Sequence, residues 1–361
     1  MKTELEDSQD ASRHFLVTGG LGFIGVHLCQ TILARYPGCK LTIVDNLSST
    51  KTDYSRLLDR ADIHIMDLRQ FAPGTARFTD VFHLASPVGS LGILERHGHI
   101  ATDILELAHC ASELAGNCHA RLLYLSSSEV YGRDGKHAES AEQIVPVRYG
   151  SRMEYALGKL TAEHVLLNLA DSGTHQLRIV RPFNVVGPWQ DERLGFVVPQ
   201  FFKAALANRP LPVHGDGMQT RSFCDVQDLV AGLVAVNEHG HSGATYNVGN
   251  PNNLTTIKDL ASRIIAVCES ESDIEFINPQ DHFGKHYLEA YNKMPVIDKA
   301  TKDTQWRPIV SLDDVLQGLK QFYCSQASSV VVDSKSNPCV NNDTCNKPDE
   351  KCVTQRACKS A

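Results

Sequence analysis

The feature that most constrains this chain is the octapeptide Thr18-Gly-Gly-Leu-Gly-Phe-Ile-Gly25. It lies between an apolar run ending at Thr18 and an amphipathic stretch beginning at Phe23. A strand, a glycine loop and a helix in that order aim the helix's unpaired N–H groups past the strand's carboxyl end. In such a loop Gly19 makes the tight turn, Gly22 lets the backbone approach a pyrophosphate, and Gly25 permits close helix–strand packing. A second apolar run, Leu41 to Val44, ends in Asp45, about 20 residues beyond the last glycine, as a ribose-binding acid requires. Its carboxylate accepts from adenosine ribose hydroxyls and repels a 2′-phosphate. Asn46, Leu47 and Ser48 follow, with no arginine, so NAD is expected rather than NADP. Asp67 ends a third run and is placed to meet the adenine amino group.

The rest of the first half alternates in the same way. Strands are expected at 14–18, 41–44, 63–66, 81–84, 121–125 and 177–180, and helices at 23–35, 94–114 and 149–169. This predicts an α/β fold, a Rossmann-type doubly wound parallel sheet with ligands beyond the strands' carboxyl ends. After Arg181 helices mix with short β pieces and Pro/Gly turns. A smaller C-terminal α/β substrate lobe is expected, interleaved in sequence, with 226–236 returning as a helix to the main domain. The expected divisions are an arm over 1–13, the NAD-binding domain over 14–183, the lobe over 184–325 and a tail over 326–361.

With 361 residues, 42% of them hydrophobic, the chain can bury a large core. A net charge of -7 without a basic block speaks against nucleic acid as a partner. No run of about 18 apolar residues suggests a membrane span, and the polar, acidic start is unlike a signal peptide. A cytoplasmic protein is expected. Seven cysteines, Cys29 to Cys324, are scattered, while Cys339, Cys345, Cys352 and Cys358 crowd the end. Without a Cys-x-x-Cys pair no metal site is expected. The Asn-, Asp-, Lys- and Pro-rich end reads as a disordered tail dispensable for catalysis, two small disulfides being the alternative.

Tyr155-Ala-Leu-Gly-Lys159 sets a phenol and an ammonium one helical turn apart on one face. Lys159, together with a positive nicotinamide, favours the phenolate and makes Tyr155 a base nearer neutrality. Ser127, just past the strand 121–125, can bond the reacting substrate oxygen. His83 reads as a packed residue at a strand end.

The Gly-x-x-Gly-x-x-Gly spacing, with Ser127, Tyr155 and Lys159, resembles the extended short-chain dehydrogenase/reductase family over residues 14–323. That resemblance implies oxidation of a nucleotide sugar at C4: Tyr155 takes the 4-hydroxyl proton, NAD accepts the hydride, Lys159 holds the nicotinamide ribose and Ser127 orients the oxygen. Ser127-Ser-Glu-Val-Tyr-Gly132, Arg152 and the lobe stretches around Arg181–Pro188, Gln219–Phe223 and Tyr246–Pro251 resemble the UDP-glucuronate decarboxylases, including that of aminoarabinose synthesis. Ser128 stands where the dehydratases carry an acid. The resemblance implies that Glu129 acts as acid/base or orients water, and that Arg152 anchors the substrate carboxylate or braces the loop; a substrate carboxylate nearby would push Glu129 toward its protonated form. It implies cofactor contacts from Gly19, Gly22, Phe23, Ile24, Gly25, Asp45, Asn46, Asp67, Leu68, Leu84, Ala85, Ser86, Tyr155, Lys159 and Pro182. It implies nucleotide-sugar contacts from Pro87, Asn184, Val198, Arg221, Tyr287 and Lys293, and a homodimer joined by the helices at 94–114 and 149–169. Lys293 replaces a family arginine, and the loop from Pro87 to Thr102 is shorter than is usual. The alternatives are a 4-epimerase or 4,6-dehydratase and, outside enzymes, a nucleotide-sensing module.

Overall fold

The computed structural model describes residues 13–50, 52–89, 93, 96–132, 135–141, 151–173, 175–283 and 291–333. Its main sheet contains β1 (His14–Thr18), β2 (Lys40–Asp45), β3 (Asp62–Ile65), β4 (Asp80–His83), β5 (Arg121–Leu125), β7 (Gln176–Pro182) and β12 (Ala244–Val248). All seven pair in parallel, in the order β12-β7-β5-β4-β1-β2-β3. Parallel strands need crossovers, and the helices in those crossovers cover both faces. This is the expected doubly wound Rossmann-type fold. From β3 at one edge the chain jumps to β4 beside β1, so the strand order reverses there. A crevice opens at that point, beyond the carboxyl ends of β1 and β4.

One face of the sheet packs on α1 (Phe23–Arg35), α5 (Val226–His239) and α8 (Asp298–Thr304), through residues such as Val26, Leu229, Leu233 and Trp306. The other packs on α2 (Ile100–Gly116) and α3 (Ser151–Asp171), through Ile104, Ala108, Ala162 and Leu166. These two helices cross closely: a Cβ on Gly158 would lie 2.8 Å from Ala101 Cα. A third core joins α4 (Val197–Leu206), α6 (Ile257–Cys268) and α9 (Leu312–Asp333) in the lobe. A short helix, α7, spans Pro279–Phe283.

The lobe has its own small sheets. β13 (Leu254–Thr256), β10 (Thr220–Ser222), β15 (Asn292–Pro295) and β6 (Gly135–His137) line up in that order. β8 (Val185–Val186) pairs with β11 (Cys224–Asp225), and β9 (Leu211–His214) with β14 (Ile274–Ile277). The segments interleave both ways: β12 closes an edge of the main sheet, while β6 leaves the first half to join the lobe's sheet.

Three boundaries differ from expectation. The second long helix begins at Ile100 rather than at 94, because Gly98 takes φ +84 in a turn just before it. The Glu154 carboxylate of α3 then accepts from the N–H groups of Gly98 (2.7 Å) and Ala101 (3.3 Å), which satisfies the helix start. The seventh strand, β12, lies inside a stretch read as lobe. Helix α9 continues to Asp333, eight residues beyond the expected boundary at 325. No glycine or proline interrupts 326–333, so nothing in the sequence stops the helix there. The arm over 1–12, the four terminal cysteines and Tyr287 lie outside the described residues.

Candidate active site

The loop after β1 is shaped by contacts only glycine permits. Gly19 has φ +71, and a Cβ there would lie 2.7 Å from the Ala85 nitrogen, so the loop rests directly on the exit of β4. A Cβ on Gly25 would lie 2.1 Å from the Gly19 oxygen. Gly25 thus tucks α1 under its own loop, rather than against a strand as expected. Gly22 is the N-cap of α1 and makes no side-chain cap bond, which leaves the first-turn N–H groups of Phe23 and Ile24 for an anion. A Cβ at Gly22 would meet nothing nearer than the Gly19 oxygen at 3.4 Å. What it would fill is the cradle above the helix start.

Asp45 is buried, and its carboxylate accepts from the N–H of Leu21 (3.0 Å) and of Leu47 (2.8 Å). It bolts β2 to the glycine loop and keeps lone pairs for a diol. Cradle, helix terminus and acid together fit a dinucleotide's pyrophosphate and ribose. The edge beyond them is lined by Leu84, Ala85, Ser86, Pro87 and Pro182, all partly buried. Asp67 is committed locally: it accepts from the Arg69 backbone (2.9 Å) and pairs with the Arg69 guanidinium (2.7 Å), capping the short turn Leu68–Gln70. Asn46 caps Ser48 N–H at 3.0 Å, and the Leu68 side chain is core. Replacing Asp45 by alanine should weaken NAD binding and narrow the preference over NADP, through loss of the ribose acceptor and of the repulsion toward a 2′-phosphate. Titration with both cofactors checks this; wild-type protein that binds NADP as well as NAD sinks the assignment.

Next to this crevice, Tyr155 and Lys159 stand one turn apart on α3, both buried. Ser127 closes β5 and caps the turn Ser128–Tyr131: its Oγ accepts from the Glu129 N–H at 3.1 Å. Lys159 Nζ donates to the Leu125 carbonyl at 2.8 Å, 4.9 Å above the Tyr124 ring and 6.0 Å from the Tyr155 ring centre. Burial pushes the Tyr155 phenol up to about 12; the Ser127 hydroxyl works against it and Glu129 with it. Burial likewise pulls Lys159 down to about 7, opposed by Glu163. In the protein alone, therefore, burial outweighs the expected activation of Tyr155 by Lys159. His83 is a packed residue, bonded to Thr18 Oγ1 at 2.7 Å, stacked on Tyr124, and driven down to about 3 by burial.

Sequence reading passed over Glu163. It lies one further turn along α3, buried, bonding Ser126 Oγ and paired with Arg181 on β7. It ties the catalytic helix to the strand ends beside it. The spacing Tyr155, Lys159, Glu163 was its available signal.

Glu129 sits between two cations. Arg152 donates from Nε to Oε2 at 2.9 Å and from its terminal nitrogen to Oε1 at 3.2 Å, and fully buried Lys293 donates to the same Oε1. Burial alone would raise this carboxyl, but Arg152 and Lys293 hold it well below the usual carboxylate range. Glu129 is thus an ionised carboxylate beside its two cations, and Arg152 braces it. Burial pulls Lys293 down to about 8 despite Glu129.

Lys293 on β15 is the register partner of Arg221 on β10, so the two expected substrate-lobe cations are neighbours. Arg221 is nearly buried and donates to the Thr220 carbonyl at 2.8 Å. Asn184 has φ 36 and bonds the Ser222 carbonyl at 3.3 Å, holding β8 near β10. The Val198 side chain is core, 2% exposed, so its backbone N–H in the first turn of α4 is the part left for a ligand. Among the described residues, no group of three or more His, Cys, Asp or Glu is placed to hold a metal ion.

A doubly wound sheet with this glycine loop, and with serine, tyrosine and lysine gathered at its crevice, defines a dinucleotide-binding protein of the short-chain dehydrogenase/reductase type. The chain belongs to the NAD dependent epimerase/dehydratase family, whose model matches residues 15–249, and NAD is its cofactor. It is 32% identical over 306 residues to UDP-glucuronic acid decarboxylase 1 of Arabidopsis thaliana, covering 83% of this chain and 67% of the relative. It is 30% identical to the UDP-N-acetyl-alpha-D-glucosaminuronate decarboxylase of Bacillus cytotoxicus, covering 85% and 95%. The chain thus spans about two thirds of the plant relative and nearly all of the bacterial one. In fold it is similar to a UDP-glucose 4-epimerase of Thermotoga maritima, with TM-score 0.77 and 23% identity over 87% of this chain and 99% of that one.

Proposed function

We propose that the protein is an NAD-dependent decarboxylase of a UDP-linked uronate, UDP-glucuronate or a close relative. The observation that carries this reading is the cluster Arg152–Glu129–Lys293, set one short turn from Ser127 and Tyr155. An epimerase needs only a base at the 4-hydroxyl. A decarboxylase must also receive a carboxylate, steady the enolate left when carbon dioxide departs, and deliver a proton to C5. Two cations and an ionised carboxylate next to the base suit those tasks.

NAD, when bound, supplies the oxidising power at C4 and a positive charge beside the buried phenol. Tyr155 takes the 4-hydroxyl proton and Ser127 orients that oxygen. Lys159, held by the Leu125 carbonyl, stands where it can turn to the nicotinamide ribose. Arg152 and Lys293 present positive charge to the substrate carboxylate and, as carbon dioxide leaves, to the developing enolate; Glu129 orients the water that protonates C5, and C4 then regains the hydride it gave up. Arg221 is suited to a phosphate as a forked donor. The relatives that carry decarboxylase names support the reading. The test is incubation with NAD and a panel of nucleotide sugars, followed by product mass. Loss of carbon dioxide from a uronate bears it out; loss of water or an unchanged mass on every sugar turned over overturns it.

The reading extends to a cytoplasmic homodimer joined through α2 and α3. No helix among the described residues is long and apolar enough to cross a membrane. The seven described cysteines are free thiols, which suits a reducing compartment. Val165 on α3 is 38% exposed, an apolar residue suited to a four-helix interface. Light scattering at micromolar concentration should give twice the chain mass; a monomer refutes the dimer.

A further inference from the structure

We propose that Asn247 is a positioning residue for the proposed active site: its side-chain amide sets the separation of Glu129 and Lys293. The inference rests on the role given to Glu129 above.

Asn247 lies on β12 and is fully buried. Its Nδ2 donates to two carbonyls, His137 (3.0 Å) at the end of β6 and Val296 (3.1 Å) just after β15. Its Oδ1 accepts from the Tyr131 hydroxyl at 2.8 Å. Its backbone N–H donates to Glu139 at 2.8 Å. Each of these partners belongs to an element that bears on the charged cluster. Val296 follows the strand carrying Lys293, β6 is that strand's parallel neighbour, and Tyr131 ends the turn carrying Glu129. The Tyr131 ring is held in turn by a stack on His137 at 4.7 Å and by the Arg181 guanidinium at 4.7 Å. One amide, with both donors and its acceptor occupied, thus ties the glutamate's turn to the lysine's strand.

The cation–carboxylate contact depends steeply on that tie. Glu129 faces Arg152 from α3, Lys293 from β15 and the Tyr155 phenol, with Arg221 behind Lys293. An opposite charge within a few Å lowers a carboxyl by about 1–3 pH units. The effect on the cation is the mirror image: if β15 drifts, Lys293 loses the Glu129 carboxylate that holds it up against its burial, while Glu129 keeps Arg152.

The readout is the alkaline limb of the pH profile of kcat/KM, measured with NAD and whichever nucleotide sugar the wild type consumes, because burial pulls Lys293 down to about 8 and Glu129 opposes it. Lys293→Met assigns the limb. A limb that survives this substitution sinks the role of the Glu129–Lys293 pair, and this proposal with it. If the limb vanishes there, Asn247→Ser is measured next. The folded, NAD-loaded variant should show kcat reduced about tenfold and the alkaline limb moved down by about one pH unit, the low end of that range. Tyr131→Phe, which keeps the ring stack and removes one bond, should move the limb the same way by less. A purely structural asparagine would lower the melting temperature and leave the limb in place, and that result overturns the proposal. If Asn247→Ser does not fold, Tyr131→Phe decides alone: an unmoved limb overturns the positioning role.

Discussion

Tyr155→Phe should cut turnover by ~10²–10⁴, the range for a lost acid–base group, while NAD and UDP binding stay close to wild type. The substitution removes one oxygen and leaves the ring in its place on α3. The structure sharpens why the loss is large. With its phenol pushed up to about 12 by burial, the ionised form of Tyr155 costs about 3 kcal/mol more than for a free tyrosine. No described group lowers it enough. The Ser127 hydroxyl is too small an offset, and Lys159 is turned to the Leu125 carbonyl. The phenol becomes a base only when positive charge arrives beside it. Proton transfer should therefore be confined to the loaded site. Steady-state turnover and cofactor titration of the variant check this together. Near-normal turnover would remove Tyr155 from the mechanism.

The fold was readable because each of its devices is local. Thr18–Gly25 encodes a turn, a close approach and a helix start within eight residues, and Asp45 follows at the spacing a ribose requires. The strands of the first half are short apolar runs bounded by polar turns, so their order along the chain is plain. β12 escaped because five residues, Ala-Thr-Tyr-Asn-Val, lie beyond a lobe in sequence and return to the sheet only through pairing with β7. Non-local pairing leaves no periodic trace.

The site shows the same division. Ser127, Tyr155 and Lys159 are legible by motif, and the structure brings them together. The state of Glu129 was not legible. It depends on Arg152, 23 residues away, and on Lys293, 164 residues away, and only the folded chain reveals that two cations outweigh its burial. Which part of Val198 faces a ligand was hidden for a related reason. A residue on the first turn of a helix offers either its side chain or its N–H, and packing against the lobe core decides which.

Glu129→Gln should lower turnover of a uronate strongly while NAD stays bound. The amide keeps the size of the side chain but loses its charge and cannot accept a proton. Two consequences follow from the geometry. Water at C5 loses the acceptor that orients it. Lys293, fully buried and already pulled down to about 8 with Glu129 present, loses its anionic partner and deprotonates near neutrality, so the enolate loses a cation as well. Removing one member of a buried pair also costs about 3–5 kcal/mol of stability, less here because Arg152 is partly exposed. The melting temperature should therefore fall along with turnover, and the two effects must be separated. Lys293→Met does that. If Glu129 and Lys293 act as a pair, the double variant should be about as slow as the slower single one, and more stable than Glu129→Gln alone, because no unpaired charge remains buried. Losses in turnover that simply add would mean that the two residues act independently. A 4-epimerase would tolerate Glu129→Gln, since its only required base is Tyr155; a dehydratase would not, so product mass must accompany the rates. If the variant keeps most of its activity on every sugar the wild type consumes, the Arg152–Glu129–Lys293 cluster is a structural tie, and the decarboxylase reading loses the observation that carries it.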